Sequence, residues 1–180
     1  DFTLKNLLNS LENTEKVNDL PGITYKDDTG KLVDNPGSIS SSSDLDDVPF
    51  VSEVYKNHLN IKDYFLNHAL YPMVQIFTGR GCPNRCTFCS WPETLMGRKY
   101  RVRSVENIVN EFIYIHENLP EVKEIFIEDD TFTIDKNHLQ DFCRQLMDTG
   151  TSFTWSCQTK ANLDYNSMQL MKQAGCRLLD

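Results

Sequence analysis

Apolar positions first recur at helical spacing in residues 1–20, where Leu4, Leu7, Leu8 and Leu11 share a face and Pro21-Gly22 ends the run. Residues 21–50 lose that pattern. Asp27, Asp28, Gly30, Asn35, Pro36 and Gly37 are followed by Ser38 and serines 40–43. So polar and turn-rich a stretch reads as a linker, because it offers too little apolar surface to fold alone. From Leu45 to Tyr71 aromatics return (Phe50, Tyr55, Tyr64, Phe65), and this segment is expected to pack over the domain that begins near Pro72.

From Pro72 onward the chain alternates strand and helix. The apolar run beginning at Met73-Val74-Gln75-Ile76-Phe77 reads as a strand. Ser104 is placed to cap a helix with Val105, Ile108, Val109, Phe112, Ile113 and His116 on one face, and Pro120 stops it. Residues 122–127 form a second strand, apolar on both sides as a buried parallel strand is. Asp135 caps a second helix with Leu139, Phe142, Cys143, Leu146 and Met147 on its face, closed by Gly150. Residues 153–157 make a third strand. Asp164 caps a third helix carrying Met168, Met171 and Ala174, and Gly175 leads into a fourth strand at residues 176–179. This repetition predicts an α/β fold, a parallel sheet with helices outside it. Three and a half such units cannot close a barrel, and the pattern does not separate a partial barrel from an open sheet. Either architecture places chemistry at the C-terminal ends of the strands. The segments to inspect are therefore 79–92, 128–131 and 158–162.

Charge narrows the picture. The 180 residues carry a net charge of −8, yet the window 79–103 is +5, with Arg80, Arg85, Arg98, Lys99, Arg101 and Arg103 against Glu93 alone. A basic island on an acidic chain suggests a local anionic ligand and argues against nucleic-acid binding. The competing reading is a solvated loop with helix-flanking cations. No apolar run approaches the roughly 20 residues of a membrane span, and no signal peptide is visible. A cytoplasmic protein is expected. The chain starts at Asp1 and stops in Arg177-Leu178-Leu179-Asp180, and it reads as a piece of a longer protein.

The island overlaps a cysteine cluster, Gly79-Arg80-Gly81-Cys82-Pro83-Asn84-Arg85-Cys86-Thr87-Phe88-Cys89-Ser90-Trp91-Pro92. The spacing is Cys-x3-Cys-x2-Cys. Thiolates ligate iron–sulfur clusters. Three of them on one loop can hold three corners of a cubane, which leaves the fourth iron open to a ligand, as in open zinc sites. Gly79 and Gly81 permit the turns, and Pro83 stiffens the start. Zinc would want a fourth Cys or His, and His68 and His116 are distant in sequence. A redox pair of Cys86 and Cys89 would leave Cys82 over. A purely structural triplet is the remaining alternative. Cys143 and Cys157 lie on apolar faces and read as core, and Cys176 as packing at a strand start. The four histidines (58, 68, 116, 138) form no ligand pattern, and His116 reads as a core histidine.

These motifs resemble the radical S-adenosylmethionine (SAM) superfamily. Phe88 stands before the last cysteine, and the loop directly follows a first strand. Gly79-Arg80-Gly81-Cys82-Pro83, Cys89-Ser90-Trp91-Pro92, Gly97-Arg98-Lys99-Tyr100-Arg101-Val102-Arg103-Ser104, Asp129-Asp130-Thr131-Phe132-Thr133 and Trp155-Ser156-Cys157 are similar to its cobalamin-binding branch. They are closest there to the hopanoid-biosynthesis-associated proteins. The segments Pro21-Gly22-Ile23 and Asp44-Leu45-Asp46-Asp47-Val48-Pro49-Phe50 resemble the linker that follows a cobalamin domain in that branch.

The resemblance implies that residues 1–70 are linker and N-terminal extension. Residues 71–180 would be the first three to four βα units of a (β/α) barrel. It implies a [4Fe–4S] cluster on Cys82, Cys86 and Cys89 and SAM bound at the open iron. Cobalamin would come from a domain upstream of this chain. The reaction implied is reductive cleavage of SAM to a 5′-deoxyadenosyl radical, serving methyl transfer or a rearrangement of a small-molecule substrate. An electron donor such as flavodoxin or ferredoxin would supply the electron. Phe88, Asp129, Asp130, Ser156, Gln158 and Lys160 are the expected SAM contacts. Two aspartates stand where relatives commonly carry a Gly-Gly-containing motif, and Lys160 where they often carry arginine. Period-2 alternation puts Ser156 and Gln158 inward if Trp155 faces the helices, and reverses if it does not. The rivals are a radical enzyme without cobalamin, methylthiotransferase-like, and a non-catalytic iron–sulfur or zinc module.

Overall fold

A computed structural model describes residues 2–13, 15–37, 45–94 and 97–180. The chain divides into two compact units, residues 1–40 and 41–180.

The first unit holds helix α1 (Phe2–Glu12) and a hairpin of β1 (Thr24–Lys26) and β2 (Leu32–Asp34), with Tyr25 opposite Val33. A hairpin thus lies within the segment whose composition reads as linker. Its turn is built by one carboxylate: Asp27 accepts from the N–H groups of Thr29 and Lys31, both at 2.9 Å, and from the Thr29 hydroxyl at 2.6 Å. Polar turn chemistry of this kind is easily taken for linker composition. Leu4, Leu8 and Leu11 remain largely exposed on α1. The serine run lies outside the described residues.

In the second unit four strands form one parallel sheet in the order β3 (Met73–Ile76), β6 (Glu124–Ile127), β7 (Trp155–Cys157), β8 (Cys176–Leu179). Neighbours in sequence are neighbours in space: Val74 pairs with Ile125, and Ile125 with Trp155. The connections are α4 (Val105–Asn118), α5 (Lys136–Asp148) and α6 (Tyr165–Gln173). The expected caps are in place. Ser104 accepts from the Asn107 N–H, Asp135 from Asn137 and His138, and Asp164 from Ser167. The core lies between sheet and helices, where Val74, Ile76, Ile125, Ile127, Trp155 and Cys157 meet Ile108, Phe112, Leu139 and Phe142. This is the parallel α/β sheet that the pattern predicts, in the strand order of the partial barrel that the resemblance implies.

Helix α2 (Val51–His58) and a 3-10 turn (Ile61–Asp63) precede the sheet. Tyr55 and Ile61 enter the core, so the segment from Leu45 packs over the domain as expected. Ser52 donates its N–H and its hydroxyl to Glu111 Oε1 at 3.1 and 2.9 Å, which pins α2 to α4.

Three face assignments differ from expectation. The buried stripe of α4 runs through Ile108, Phe112 and Ile115, and His116, one residue past it, is exposed with its ring edge on Phe153. Met147 and Met168 are also exposed, at the margins of their helices. Cys143, Cys157 and Cys176 are buried core, as expected.

Candidate functional site

The cysteine loop leaves the sheet after β3 and returns through a two-residue antiparallel ribbon, β4 (Gly79–Arg80) with β5 (Arg101–Val102). That ribbon makes the loop an anchored excursion. A Cβ on Gly79 would lie 3.2 Å from Asp129 Oδ2, so the loop root sits tightly against the end of β6. Gly81 has φ +88°, and a Cβ there would lie 2.3 Å from the Lys99 carbonyl oxygen. Only glycine permits both the dihedral and the approach. Beyond it, the Cys82 N–H donates to the Gly97 carbonyl and the Cys89 N–H to the Cys86 carbonyl, each at 3.2 Å. A one-turn helix, α3 (Trp91–Thr94), follows.

The loops after three strands converge on one cavity of about 440 Å³. The first loop contributes Cys82, Asn84, Cys86, Phe88 and Cys89, with Trp91 and Pro92 beyond. The second gives Glu128, Asp130 and Thr131, and the third Gln158, Thr159 and Lys160. All three cysteines are free thiols, with Cys86 exposed and Cys82 and Cys89 half-buried. Among the described residues no three Cys, His, Asp or Glu side chains converge as a single metal ion would require.

The expected contacts divide into two groups. Asp130, Gln158, Lys160 and Phe88 line the cavity. Asp130 Oδ2 is buried without a hydrogen-bond partner, and burial raises the pKa of its carboxyl. Gln158 donates to Glu128 Oε1 at 3.4 Å, and Gln75 to Glu128 Oε2 at 2.8 Å. Phe88 is 91% exposed at the rim. Trp155 does face the helices, its ring 5.4 Å from Phe142, so Gln158 falls on the cavity side as the alternation predicts. Asp129 and Ser156 do not line the cavity. Asp129 is 2% exposed and accepts from Thr78, its carboxyl pushed up to about 6 by burial. Ser156 is fully buried and donates to Glu124 on the same face of the sheet. Period-2 reasoning finds the correct face but not the depth along the strand.

Asn84, Thr131 and Thr159 were not anticipated. They are ordinary polar residues whose only sequence signal is their position at a strand end. The basic island disperses. Arg103 pairs with Glu111, Arg98 with Glu93, and Arg101 is buried.

Comparison with known proteins agrees with this arrangement. Residues 76–180 match the model of the Radical SAM superfamily. The chain is 28% identical over 177 residues to an uncharacterized methyltransferase of Pyrococcus horikoshii, covering 98% of this chain and 37% of that protein. It is 29% identical over 142 residues to the cytidylyl-2-hydroxyethylphosphonate methyltransferase of Streptomyces wedmorensis, 76% of this chain and 26% of that one. It is 30% identical over 153 residues to the hopanoid C-3 methylase of Methylococcus capsulatus, 79% of this chain and 28% of that one. The fold is similar to the structure of the cobalamin-dependent SAM radical enzyme OxsB, with a TM-score of 0.69 at 20% identity, over 98% of this chain and 26% of that one. The chain thus spans between a quarter and two fifths of each of these proteins.

Proposed function

Because this chain belongs to the radical SAM superfamily, we propose that it forms the cluster-bearing part of a cobalamin-dependent radical SAM methyltransferase acting on a small molecule. The observation that carries the reading is the convergence of three cysteines and two further strand-end loops on one cavity. Cys82, Cys86 and Cys89 hold a [4Fe–4S] cluster. Bound together, cluster and SAM supply one-electron radical chemistry at the cavity. The chain's own residues bind, orient and shield. Asp130 offers an unpartnered carboxylate oxygen to a cationic group such as the SAM ammonium. Gln158 and Gln75 hold Glu128 in a fixed rotamer beside it. Phe88, Trp91 and Pro92 give the cavity an apolar flank at its rim.

Methyl transfer is favoured because three of four similar proteins, those with the longer matches, are named as methyltransferases or a methylase, while the fourth, matched over 99 residues, is a cyclase of Rubrivivax gelatinosus. Cobalamin is favoured by the likeness to OxsB. The test uses the full-length protein, reconstituted anaerobically with iron and sulfide. About four irons per chain, formation of 5′-deoxyadenosine from SAM, and a bound corrin are expected. Alanine at Cys82, Cys86 or Cys89 should abolish cluster and product, whereas alanine at Cys143 should leave the iron content intact. A colourless zinc protein that leaves SAM intact would overturn the reading.

A further inference from the structure

Two residues in the cavity wall form a relay to one of the three thiols. Asn84 Nδ2 donates to Cys82 Sγ at 3.2 Å, and Lys160 Nζ donates to Asn84 Oδ1 at 3.0 Å. The relay spans two loops 76 residues apart in sequence, after β3 and after β7. Chemistry fixes its direction. An ammonium can only donate, so it holds the amide oxygen toward itself and turns the amide NH2 toward the sulfur. Without that ammonium the amide could flip and present its oxygen to the thiolate.

Both ends of the relay are held by backbone. The Asn84 carbonyl accepts from Arg98 Nη1 at 2.8 Å. On the far side, the Gln158 carbonyl accepts the Phe132 N–H at 3.0 Å, and the Thr159 N–H donates to the Asp180 carbonyl at 2.9 Å. Lys160 therefore projects from an anchored strand end. The other side-chain group near Cys82 is not a competing donor. Thr131 Oγ1 lies 3.9 Å from the sulfur and gives its proton to the Asp130 carbonyl at 2.5 Å.

We propose that Asn84 is a positioning residue that hydrogen-bonds the Cys82 ligand sulfur and raises the reduction potential of the cluster, and that Lys160 acts through Asn84 by fixing its amide. A donor on a ligand sulfur stabilises the reduced, more negative cluster more than the oxidised one. The assignment rests on the proposed cluster at Cys82, Cys86 and Cys89. It gives Lys160 a task distinct from contacting a SAM carboxylate.

The experiment is an EPR-monitored dithionite titration of the reconstituted full-length protein. It compares wild type, Asn84→Leu, Lys160→Met and the double variant, each matched for iron and sulfide content. Asn84→Leu keeps the side-chain shape and removes the donor, and its midpoint potential should fall. Lys160→Met, remote from the cysteine loop in sequence, should lower the potential by less. Its effect should shrink toward nothing once Asn84 is already Leu, while its affinity for SAM stays within about twofold of wild type. An unchanged potential in Asn84→Leu at full cluster occupancy overturns the proposal. So does a Lys160→Met shift that persists undiminished in the Asn84→Leu background, which would mark a direct charge effect. A Lys160→Met protein with normal potential and weakened SAM binding would restore the carboxylate contact instead. A wild-type protein that assembles no four-iron cluster would sink the cluster reading itself, a result distinct from all of these.

Discussion

Asp129 holds Thr78 by two hydrogen bonds, from its N–H at 2.7 Å to Oδ1 and from its hydroxyl at 2.5 Å to Oδ2. This contact ties the end of β6 to the root of the cysteine loop, in a place that is 2% exposed. Burial dominates the carboxyl's environment and raises its pKa from 3.8 to about 6, against the lowering effect of the Thr78 and Gly79 hydrogen bonds. The folded state therefore holds the proton more tightly than the unfolded chain. The stability so gained is complete below about pH 4 and is lost as pH rises through about 6, an effect of about 3 kcal/mol. Asp129→Asn cannot titrate. The difference in unfolding free energy between wild type and Asp129→Asn, followed by urea denaturation from pH 4 to 7, should move against wild type as pH rises. A flat difference curve would show that the carboxyl titrates normally.

A second buried carboxylate, Glu111, holds α2 to α4. Glu111 is fully buried, pairs with Arg103 Nη1 at 2.5 Å, and accepts both polar groups of Ser52. Removing one partner of such a pair strands the other charge in a dry site. Glu111→Ala should cost about 3–5 kcal/mol by denaturant unfolding. The paired change Arg103→Met with Glu111→Leu should cost clearly less than Glu111→Ala alone, because it leaves no buried charge unpaired.

The parts of this fold that were legible in the sequence are those where burial and period coincide. Ile125, Phe126 and Ile127 sit in a strand covered on both faces, so their run is continuous. Asp135 and Ser104 announce helices because orphan N–H groups need acceptors. The cavity that Cys82, Cys86 and Cys89 share with Asp130 and Gln158 followed from strand order. Other features depend on partners remote in sequence. The Gly79–Arg80 and Arg101–Val102 ribbon is too short to leave a hydrophobic pattern. The pairing of Ser52 with Glu111 spans 59 residues. Asp129 and Asp130 look alike in sequence, yet one is spent on Thr78 and the other lines the cavity, since alternation along the backbone sends them to different surroundings.

Gly81 offers a test of how the loop is held. Any side chain there meets the Lys99 carbonyl oxygen at 2.3 Å and must adopt a φ of +88°. Gly81→Ala should force the loop off its ribbon and cut iron incorporation severalfold, with the strain costing roughly 1–3 kcal/mol. Gly30 also has a positive φ, but nothing lies within 4 Å of its Cβ position. Gly30→Ala should leave iron content at the wild-type level, which separates loop strain from a general loss of fold.

Asp130 separates binding from stability. Its Oδ2 is buried and unpartnered, and burial alone accounts for its raised pKa. A buried carboxylate oxygen without a donor costs stability in the ligand-free protein. Asp130→Ala removes that cost. The variant should unfold at an equal or higher denaturant midpoint than wild type near neutral pH. If the oxygen is reserved for the SAM ammonium, the same substitution should weaken SAM binding about tenfold or more, measured by equilibrium dialysis on the cluster-loaded full-length protein, because the bound cation loses a charge-assisted partner. The loss should be largest above the carboxyl's raised pKa, where wild type carries the negative charge, and should narrow as the pH falls and wild type is itself neutralised. A variant that loses stability and keeps its SAM affinity at every pH would place Asp130 in the framework of the loop and leave Glu128, another carboxylate lining the cavity, as the candidate for the ammonium contact.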